Sequence, residues 1–556
     1  MLIEQTGLAQ LLVLTPRFHR DERGFFTESF NSRAFAEATG ADVQFVQDNH
    51  SRSSRGVLRG LHYQLPPHAQ GKLVRVVSGE IFDVAVDLRA DSPTFGRWFG
   101  TVLSAEKGNQ LWIPAGFAHG FLTLSETADV LYKATDYYAP DCERTLAWND
   151  PAIAIDWPLG VEPLLSAKDS AAPFLAQADT FPASPGALYL TRPYLPPLHE
   201  LMPLLGEIWD SRILTNQGPF HQRFERELCE QLEVENVSLV ANGMLALSAA
   251  IEAAGVGGEV ITTPYSFVAT THAVRLGRLE PVFVDIRRSD LNIDPDLIEA
   301  AITPRTSAIV AVHCYGNPCD VEAIDAIATR HGLKVIYDAA HAFGVRRHGR
   351  CVCAQGDFAA LSFHATKSFN TFEGGAVVAA SEAGKRAVDS FRNFGIAGEV
   401  SIPLVGTNAK MSEFNAALGV LQLRHFEEVR GARRRVDSLY RDALAGIGGI
   451  ECLAIPEGVE PNFSYFPIFV TPDFPISRDG LYERLKAEGV YARRYFYPLL
   501  SSLPMYGGLP SAAPANLPVA TAAAEQILCL PIFPDLSDSD VDRVLSVIRR
   551  SARGAG

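Results

Sequence analysis

The hydrophobic pattern of this chain changes once, close to residue 200. Before that point, stretches such as Lys72 to Leu88 (KLVRVVSGEIFDVAVDL) alternate, are rich in Val and Ile, and are separated by turn residues. From about Leu201, an amphipathic helical stretch (FHQRFERELCEQLE) precedes apolar runs that alternate with helical segments. The first pattern predicts an all-β sandwich or barrel, and the second predicts an α/β domain with a mostly parallel sheet. A chain of 556 residues is also too long for one core, so we expect a multidomain protein.

The domain boundaries follow from this change of pattern. We expect a β domain at residues 1–180, a proline-rich linker at 181–200 (FPASPGALYLTRPYLPPLHE) and an α/β domain at 201–556. We expect the last part of the chain, from roughly residue 430, to form a smaller α+β subdomain.

Charge and cysteine content narrow the class of protein. The formal net charge of −15 argues against nucleic acid or an anionic membrane as a partner. No apolar run is long enough to span a bilayer, and the first residues do not resemble a signal peptide. Eight cysteines without a zinc-like set of four indicate reduced thiols and a cytoplasmic location.

Lys367 lies in the segment SFHATKSFNTFEGGA, and its interpretation depends on other segments of the second domain. Asp338 ends the apolar run KVIYD, where a buried carboxylate needs a cationic partner. Asn242 and Gly243 open a helix whose N-terminus suits a phosphate, and Phe267 follows a strand, where its ring could stack on a flat ligand. These are the requirements of pyridoxal 5′-phosphate. A buried Asp338–Lys367 ion pair without a cofactor is the simpler alternative.

Residues 188–550 resemble the PLP-dependent sugar-nucleotide aminotransferases of fold type I (DegT/DnrJ-like). The motifs that carry the resemblance are NGMLAL, TTPYSFVAT, PVFVDI, VHCYGNPCD, YDAAHAFG, SFHATKSFNTFEGG, GTNAKMSEFNAALG and YFYPL. The resemblance implies that Lys367 forms the Schiff base and moves the proton, and that Asp338 pairs with the ring nitrogen. It places the remaining cofactor contacts at His341 and Phe267 beside the ring, at Ser362, Asn242 and Gly243 on the phosphate, and at Asn408 from a partner subunit. Met244 replaces the threonine usual in the family, so the contact there must come from the backbone.

His62, in GVLRGLHYQ, is the first candidate of the β domain. Such a histidine is more often a core residue than a catalyst. A metal site with His119 of FAHGF is a further alternative, although the His-x-His pair common in such barrels is replaced by His62-Tyr63-Gln64. We therefore expect no metal.

Residues 1–180 resemble the dTDP-4-dehydrorhamnose 3,5-epimerases, which have a cupin jelly-roll barrel. The motifs are DERGFFTESFN, FVQDNHSRSSRGVLRGLHYQ, GKLVRVVSGEIFDVAVDLR, SPTFGRW, LWIPAGFAHGFLTLSE, LYKATDYYAP, WNDPAIAIDWPL and LSAKDSAAP. The resemblance implies that His62 is the base, oriented by Asp169, that Tyr132 is the acid on the opposite face of the sugar, and that Lys72 stabilises the enolate oxygen. Further substrate contacts are expected from Arg23, Arg59, Gln47, Asn49, His119, Tyr138 and Lys168.

The two resemblances together predict a bifunctional enzyme. A 4-keto-6-deoxy sugar linked to dTDP is epimerised at C5 and C3, and the ketone is then aminated, with C4 favoured and glutamate as donor. The expected assembly is a homodimer or a higher homo-oligomer. Two alternatives stay open: a 3,4-ketoisomerase joined to a C3 aminotransferase, and an aminotransferase with a non-catalytic barrel.

Overall fold

The structure is a computed structural model. It describes residues 2–41, 43–160, 162–181 and 186–553. The chain divides after Pro185 into two compact units, which we call unit 1 (1–185) and unit 2 (186–556). Residues 182–185 of the predicted linker lie outside the described residues.

Unit 1 is built almost entirely of short strands. Its strands and helices are β1 (Leu2–Gln5), β2 (Leu12–Thr15), β3 (Phe18–Asp21), β4 (Gly24–Thr27), α1 (Ser32–Thr39), β5 (Gln47–Ser54), β6 (Leu58–Gln64), β7 (Lys72–Ser78), β8 (Glu80–Asp87), β9 (Trp98–Ser104), β10 (Gln110–Ile113), β11 (Phe117–Thr123), β12 (Thr127–Ala134), β13 (Glu143–Thr145) and α2 (Ala167–Ser170).

Two antiparallel sheets enclose the core of unit 1. Their strand orders are β1-β2-β10-β7-β12-β5 and β13-β6-β11-β8-β9. Val74 and Leu111 of the first sheet pack in one cluster with Ile81, Ala85 and Phe121 of the second. The alternation of Val and Ile in the sequence therefore places one side of each strand in this shared interior.

The turn between β7 and β8 requires glycine. Gly79 has a φ of +75°, and a Cβ at this position would lie 2.2 Å from the carbonyl oxygen of Thr127. Only a residue without a side chain fits there, so glycine permits the tight connection by which the chain passes from the first sheet, which carries Lys72, to the second, which carries Asp83.

Unit 2 alternates strands and helices over most of its length. Its elements are β14 (Leu188–Tyr189), α3 (Leu198–Ser211), α4 (Pro219–Leu232), β15 (Val237–Val240), α5 (Gly243–Ala254), β16 (Glu259–Thr262), α6 (Val268–Leu276), β17 (Glu280–Phe283), α7 (Pro295–Ile298), β18 (Thr306–Val312), α8 (Val321–His331), β19 (Lys334–Asp338), β20 (Arg346–Arg347), β21 (Arg350–Cys351), β22 (Phe358–Ser362), β23 (Gly375–Ala379), α9 (Glu382–Phe391), α10 (Glu413–Leu444), β24 (Ile450–Cys452), β25 (Val459–Glu460), β26 (Phe466–Val470), α11 (Arg478–Ala487), β27 (Val490–Tyr491), α12 (Pro518–Gln526), β28 (Ile527–Leu530) and α13 (Asp538–Ala552).

A mostly parallel seven-stranded sheet forms the centre of unit 2, in the order β15-β23-β22-β19-β18-β16-β17. Only β23 runs antiparallel to its neighbours, β15 and β22. Helices cover both faces: Ile309 of β18 packs with α4, α8 and α10, whereas Val310 packs with α5 and α6. Burial on both faces explains why these strands are continuous apolar runs.

The C-terminal part of unit 2 has its own core around the sheet β24-β26-β28. Helix α10 reaches both cores, because Ala416 and Phe426 belong to the first core and Val436 and Leu444 to the second. The expected subdomain start near residue 430 therefore falls inside this helix.

The described part of the predicted linker packs on unit 2. Strand β14 pairs in parallel with β27, and the rings of Tyr189 and Tyr491 stack with centroids 5.1 Å apart. Helix α3 then begins at Leu198. Among the described residues, no helix is long and apolar enough to cross a bilayer.

Candidate active sites

The candidate residues of unit 1 lie on both of its sheets, and the amine of Lys72 on the first sheet contacts the carbonyl oxygen of His62 on the second. Tyr132 on β12 is directly opposite Asn49 on β5, and Lys72 on β7 is opposite Ala134. On the second sheet His62 of β6 is opposite His119 of β11. Strand pairing therefore brings together side chains that are far apart in the sequence, and this group is the candidate site of unit 1.

His62 and Asp169 form a close pair within this group. The Nε2 atom of His62 is 2.6 Å from Oδ1 of Asp169, and the other carboxylate oxygen accepts a 2.8 Å hydrogen bond from the hydroxyl of Ser166. Ser166 is also the N-cap of α2, which presents the carboxylate. Burial opposes ionisation of Asp169, but the bonds from His62 and Ser166 outweigh burial and hold its pKa below the ordinary value. Asp169 thus accepts from Nε2, which leaves Nδ1 as the free basic nitrogen.

His119 forms a second, more buried pair with Asp83. Its Nε2 atom is 2.7 Å from Oδ1 of Asp83, whose side chain is fully buried. Asp83 was not among the residues expected from the sequence, because its partner lies on a neighbouring strand 36 positions away.

Lys72 is a partly buried amine close to His62. Its Nζ donates to the carbonyl oxygen of His62 at 3.4 Å and lies 6.0 Å from the ring centre of Tyr132. Burial lowers the pKa of Lys72 to about 8, although the charges of Glu143 and Asp83 oppose this change. Burial also raises the pKa of Tyr132, so the phenol keeps its proton at neutral pH.

Glu143 is a member of this site that the sequence reasoning missed. Its Oε2 atom is 2.5 Å from Nζ of Lys168 and accepts a 2.8 Å hydrogen bond from the hydroxyl of Tyr138. Burial opposes its ionisation, but these two bonds lower its pKa. The pairing of β13 with β6 places Glu143 two positions from the partner of His62, and no local motif in the sequence shows this non-local pairing.

The other expected substrate contacts lie farther out. Gln47 bonds to Asn49 and to the main-chain N–H of Tyr138, at 2.9 and 3.1 Å. Arg59 is exposed and donates to Ser53 at 3.0 Å. Arg23 lies at the tip of the β3–β4 hairpin with its side chain 89% exposed, bound to Asp21. Within this chain the described contacts do not bring Arg23 to His62.

In unit 2 the candidate site lies at the carboxyl ends of the parallel strands. Asp338 ends β19 and Ser362 ends the neighbouring strand β22. The carboxylate of Asp338 is buried, and it accepts hydrogen bonds from the hydroxyl of Thr270 at 2.7 Å and from the N–H of Ala340 at 3.1 Å. Burial raises its pKa in spite of these bonds. Such a buried carboxylate suits a cationic ligand.

Lys367 interacts electrostatically with this carboxylate, and His341 interacts electrostatically with Lys367. Burial lowers the pKa of Lys367 to about 8, opposed by the charge of Asp338. Burial, assisted by the charge of Lys367, lowers the pKa of His341 well below its ordinary value. The N–H of Tyr315 donates to Nδ1 of His341 at 3.2 Å. The imidazole is therefore neutral, with its proton on Nε2.

The start of α5 forms a cradle next to Ser362. The Asn242 side chain accepts from the N–H of Leu245 at 2.9 Å, so it caps the helix. The N–H groups of Gly243 and Met244, in the first turn, have no intrahelical acceptor by helix geometry. A Cβ on Gly243 would lie 2.9 Å from the Ser362 hydroxyl oxygen. The cradle fits a phosphate, with contacts from the backbone and from Ser362.

Phe267 and Asn408 complete the expected cofactor set. Phe267 is the residue before α6 and is 55% exposed. Asn408 accepts from the amine of Lys410 at 2.6 Å, and the described contacts do not connect it with Lys367. In the described part of the chain, no cluster of three or more His, Cys, Asp or Glu could hold a metal ion.

Comparison with known proteins identifies both halves. Residues 199–549 match the DegT/DnrJ/EryC1/StrS aminotransferase family, and residues 5–177 match the family described as dTDP-4-dehydrorhamnose 3,5-epimerase. The chain therefore belongs to the DegT/DnrJ/EryC1/StrS aminotransferase family and carries a dTDP-4-dehydrorhamnose 3,5-epimerase domain before it. Both expected memberships are confirmed, as is the order of a β domain followed by an aminotransferase fold. The chain is an enzyme in both parts, and its aminotransferase family depends on pyridoxal 5′-phosphate.

Individual relatives cover each half almost completely. A dTDP-4-amino-4,6-dideoxy-D-glucose transaminase of Shigella dysenteriae is 51% identical over 363 residues, which is 65% of this chain and 98% of the relative. A dTDP-4-dehydrorhamnose 3,5-epimerase of Pseudomonas aeruginosa is 60% identical over 182 residues, which is 33% of this chain and 100% of the relative. The solved structure of DesI in the presence of its TDP-sugar product is 38% identical, with a TM-score of 0.64, and the match covers 67% of this chain and 95% of that one.

Proposed function

We propose that unit 1 epimerises dTDP-4-keto-6-deoxy-D-glucose at C5 and C3, and that unit 2 aminates a dTDP-linked 4-keto sugar at C4 with glutamate as donor. The observation that carries the proposal is the presence of both chemical sets in one chain. In unit 1, His62 pairs with Asp169, and the amine of Lys72 contacts the His62 carbonyl and lies 6.0 Å from the Tyr132 ring centre. In unit 2, Lys367 interacts electrostatically with Asp338.

The geometry of unit 1 supports a two-face proton exchange. Protons on C3 and C5 are acidified by the C4 ketone, and His62, oriented by Asp169, removes one through its free Nδ1. The ammonium of Lys72 stabilises the negative charge that develops on the ketone oxygen. Tyr132, which retains its proton, returns a proton from the other face, and this inverts the carbon. We also assign the two facing sheets of unit 1 to the cupin jelly-roll class.

In unit 2 the chain's residues hold and serve the cofactor. Pyridoxal 5′-phosphate supplies an electron sink that acidifies the C–H bond next to a bound amine. Asp338 would pair with its ring nitrogen, Phe267 and the neutral His341 would lie on the ring, and the cradle of Gly243, Met244 and Ser362 would take the phosphate. Lys367, whose amine loses its proton near pH 8, binds the cofactor and moves the proton. We assign this α/β unit to fold type I.

The two reactions could be related in two ways, which we call the sequential form and the direct form. From the fusion alone, we expect sequential use, in which the epimerised ketone is the substrate of unit 2. A second form is direct amination of the D-sugar, with the two units competing for one substrate. The names of two relatives that are 51% and 48% identical give the product the D-gluco configuration, and this favours the direct form.

NMR of the sugar in deuterated water, with PLP and glutamate, tests the proposal. An aminated product that carries deuterium at C3 and C5 supports the sequential form. An aminated product without deuterium supports direct amination. His62→Ala separates the two: the sequential form then gives no amine, whereas the direct form gives undiminished amine. Lys367→Ala is the matched control, since it should abolish amination and leave the exchange at C3 and C5 intact. Failure of the intact chain to form any amine would overturn the proposal for unit 2.

We also propose a homodimer in which Asn408 reaches the partner's cofactor site. The support is an exposed apolar segment before Asn408, with Val400 96%, Ile402 68% and Val405 87% exposed. Analytical ultracentrifugation of Val405→Asp tests the dimer, which the charge should weaken, and a dimer of unchanged stability would contradict the role of this segment.

A cytoplasmic location is also part of the proposal, supported by eight free thiols.

A further inference from the structure

Two buried hydroxyl groups, one bonded to the other, form a chain of hydrogen bonds that ends on the carboxylate of Asp338. Thr270, in the first turn of α6, is fully buried, and its Oγ1 atom lies 2.7 Å from Oδ2 of Asp338. The hydroxyl oxygen of Ser266 lies 2.8 Å from the same Oγ1 atom. Neither residue belongs to the set expected from the sequence.

The direction of these hydrogen bonds follows from the number of protons. Thr270 has one hydroxyl proton and two acceptors within reach, the Asp338 carboxylate at 2.7 Å and the carbonyl oxygen of Phe267 at 3.2 Å. The charged acceptor is also the nearer one, so the proton goes to Asp338. Thr270 Oγ1 is then free to accept from Ser266. The result is a relay that runs from Ser266 through Thr270 to Asp338.

We propose that Thr270, supported by Ser266, is a positioning residue that holds Asp338 ionised and correctly oriented for the cationic ring nitrogen of the cofactor. This inference rests on the proposed function of unit 2. The hydroxyl groups stabilise the carboxylate without neutralising it, so its negative charge stays available to a ligand. An arginine or lysine at this position would form a closed ion pair instead. The second oxygen, Oδ1, is fixed independently by the N–H of Ala340.

Three substitutions in the full-length chain test this role. Thr270→Val keeps the size of the side chain and removes the donor, Thr270→Ser keeps the donor, and Ser266→Ala removes only the outer hydroxyl. The readouts are the dissociation constant for pyridoxal 5′-phosphate and the pH dependence of the visible absorbance of the bound cofactor. Both are measured without any sugar.

A hydrogen bond to a charged group is worth enough that Thr270→Val should weaken cofactor binding about tenfold or more. The visible absorbance of Thr270→Val should also lose its protonated-ring form at lower pH than in the unaltered chain. The dissociation constant of Thr270→Ser should stay within about twofold of that of the unaltered chain. The dissociation constant of Ser266→Ala should lie between those of Thr270→Ser and Thr270→Val. Equal binding and an equal pH profile for Thr270→Val and the unaltered chain would overturn the inference.

Two controls keep the result interpretable. Circular dichroism of each variant reports whether the chain is folded, and epimerase activity reports whether unit 1 is unaffected. If Thr270→Val does not fold, Ser266→Ala becomes the test, because Ser266 does not contact Asp338. A dissociation constant for pyridoxal 5′-phosphate in Ser266→Ala equal to that of the unaltered chain would then contradict the relay. If the unaltered chain binds the cofactor but forms no amine, the proposed function of unit 2 fails while the comparison of variants still stands.

Discussion

His62 and Asp169 are 107 positions apart in the chain, and their side chains meet with Nε2 2.6 Å from Oδ1. The contact joins a strand of the second sheet to the first turn of a four-residue helix. Because Ser166 holds the other carboxylate oxygen, the carboxylate cannot rotate without losing a bond.

Asp169→Asn should reduce epimerisation by a factor of about 10²–10⁴, since the amide can donate to His62 and hold the wrong tautomer. The measurement is the rate of deuterium uptake at C3 and C5. Ser166→Ala, which leaves the carboxylate in place, should have a smaller effect. Equal rates for Asp169→Asn and the unaltered chain would show that another group orients the base.

The pH profile of epimerisation should fall on the alkaline side near pH 8. Lys72 has a pKa lowered to about 8, so it is cationic below that pH and loses its charge above it. Tyr132 does not produce this limb, because its pKa is raised. Measured kcat/KM should drop about tenfold per pH unit above the break. In Lys72→Arg the break should disappear at a lower absolute rate, and a break that persists would assign it to a different group.

Glu143→Gln should move the same break to lower pH. The negative charge of Glu143 raises the pKa of Lys72, and glutamine removes that charge while keeping a side chain that can bond to Tyr138. We expect kcat/KM at pH 8 to fall about threefold, with little change at pH 6.5. The comparison variant is Glu106→Gln, on an exposed turn of the same unit. An unmoved break would mean that the charge of Glu143 does not act on Lys72.

Gly243→Ala should weaken binding of pyridoxal 5′-phosphate about tenfold or more, because the new Cβ would lie 2.7 Å from Cβ of Ser362 and overpack the cradle. Equilibrium dialysis gives the dissociation constant. Gly257→Ala is the matched control, since a Cβ there meets no atom within 4 Å. Unchanged binding in Gly243→Ala would place the phosphate elsewhere.

The elements and the chemistry of this chain were predictable to different extents. The Val- and Ile-rich alternation of β7 and β8 and the alternation of strands and helices in unit 2 are local signals, and both were interpreted correctly. The sequence did not predict Glu143, Asp83 or Thr270 as site residues. Each acts through a residue on another element, and sequence spacing does not show such contacts. Asn242 caps α5 through its side chain, since an Asn before a helix binds the first free N–H groups, and its expected contact with the phosphate stays a prediction.

The strand-end position of Asp338 and Ser362 also bears on how such an enzyme can diversify. The sheet holds Asp338 and Ser362 at the ends of its strands, whereas Lys367, His341 and Phe267 lie in the connections that follow strands. Under the proposed function, substitutions elsewhere in those connections can alter which sugar configuration is accepted without disturbing the buried carboxylate. Related enzymes can therefore change the sugar that they accept while the cofactor-dependent amination stays the same.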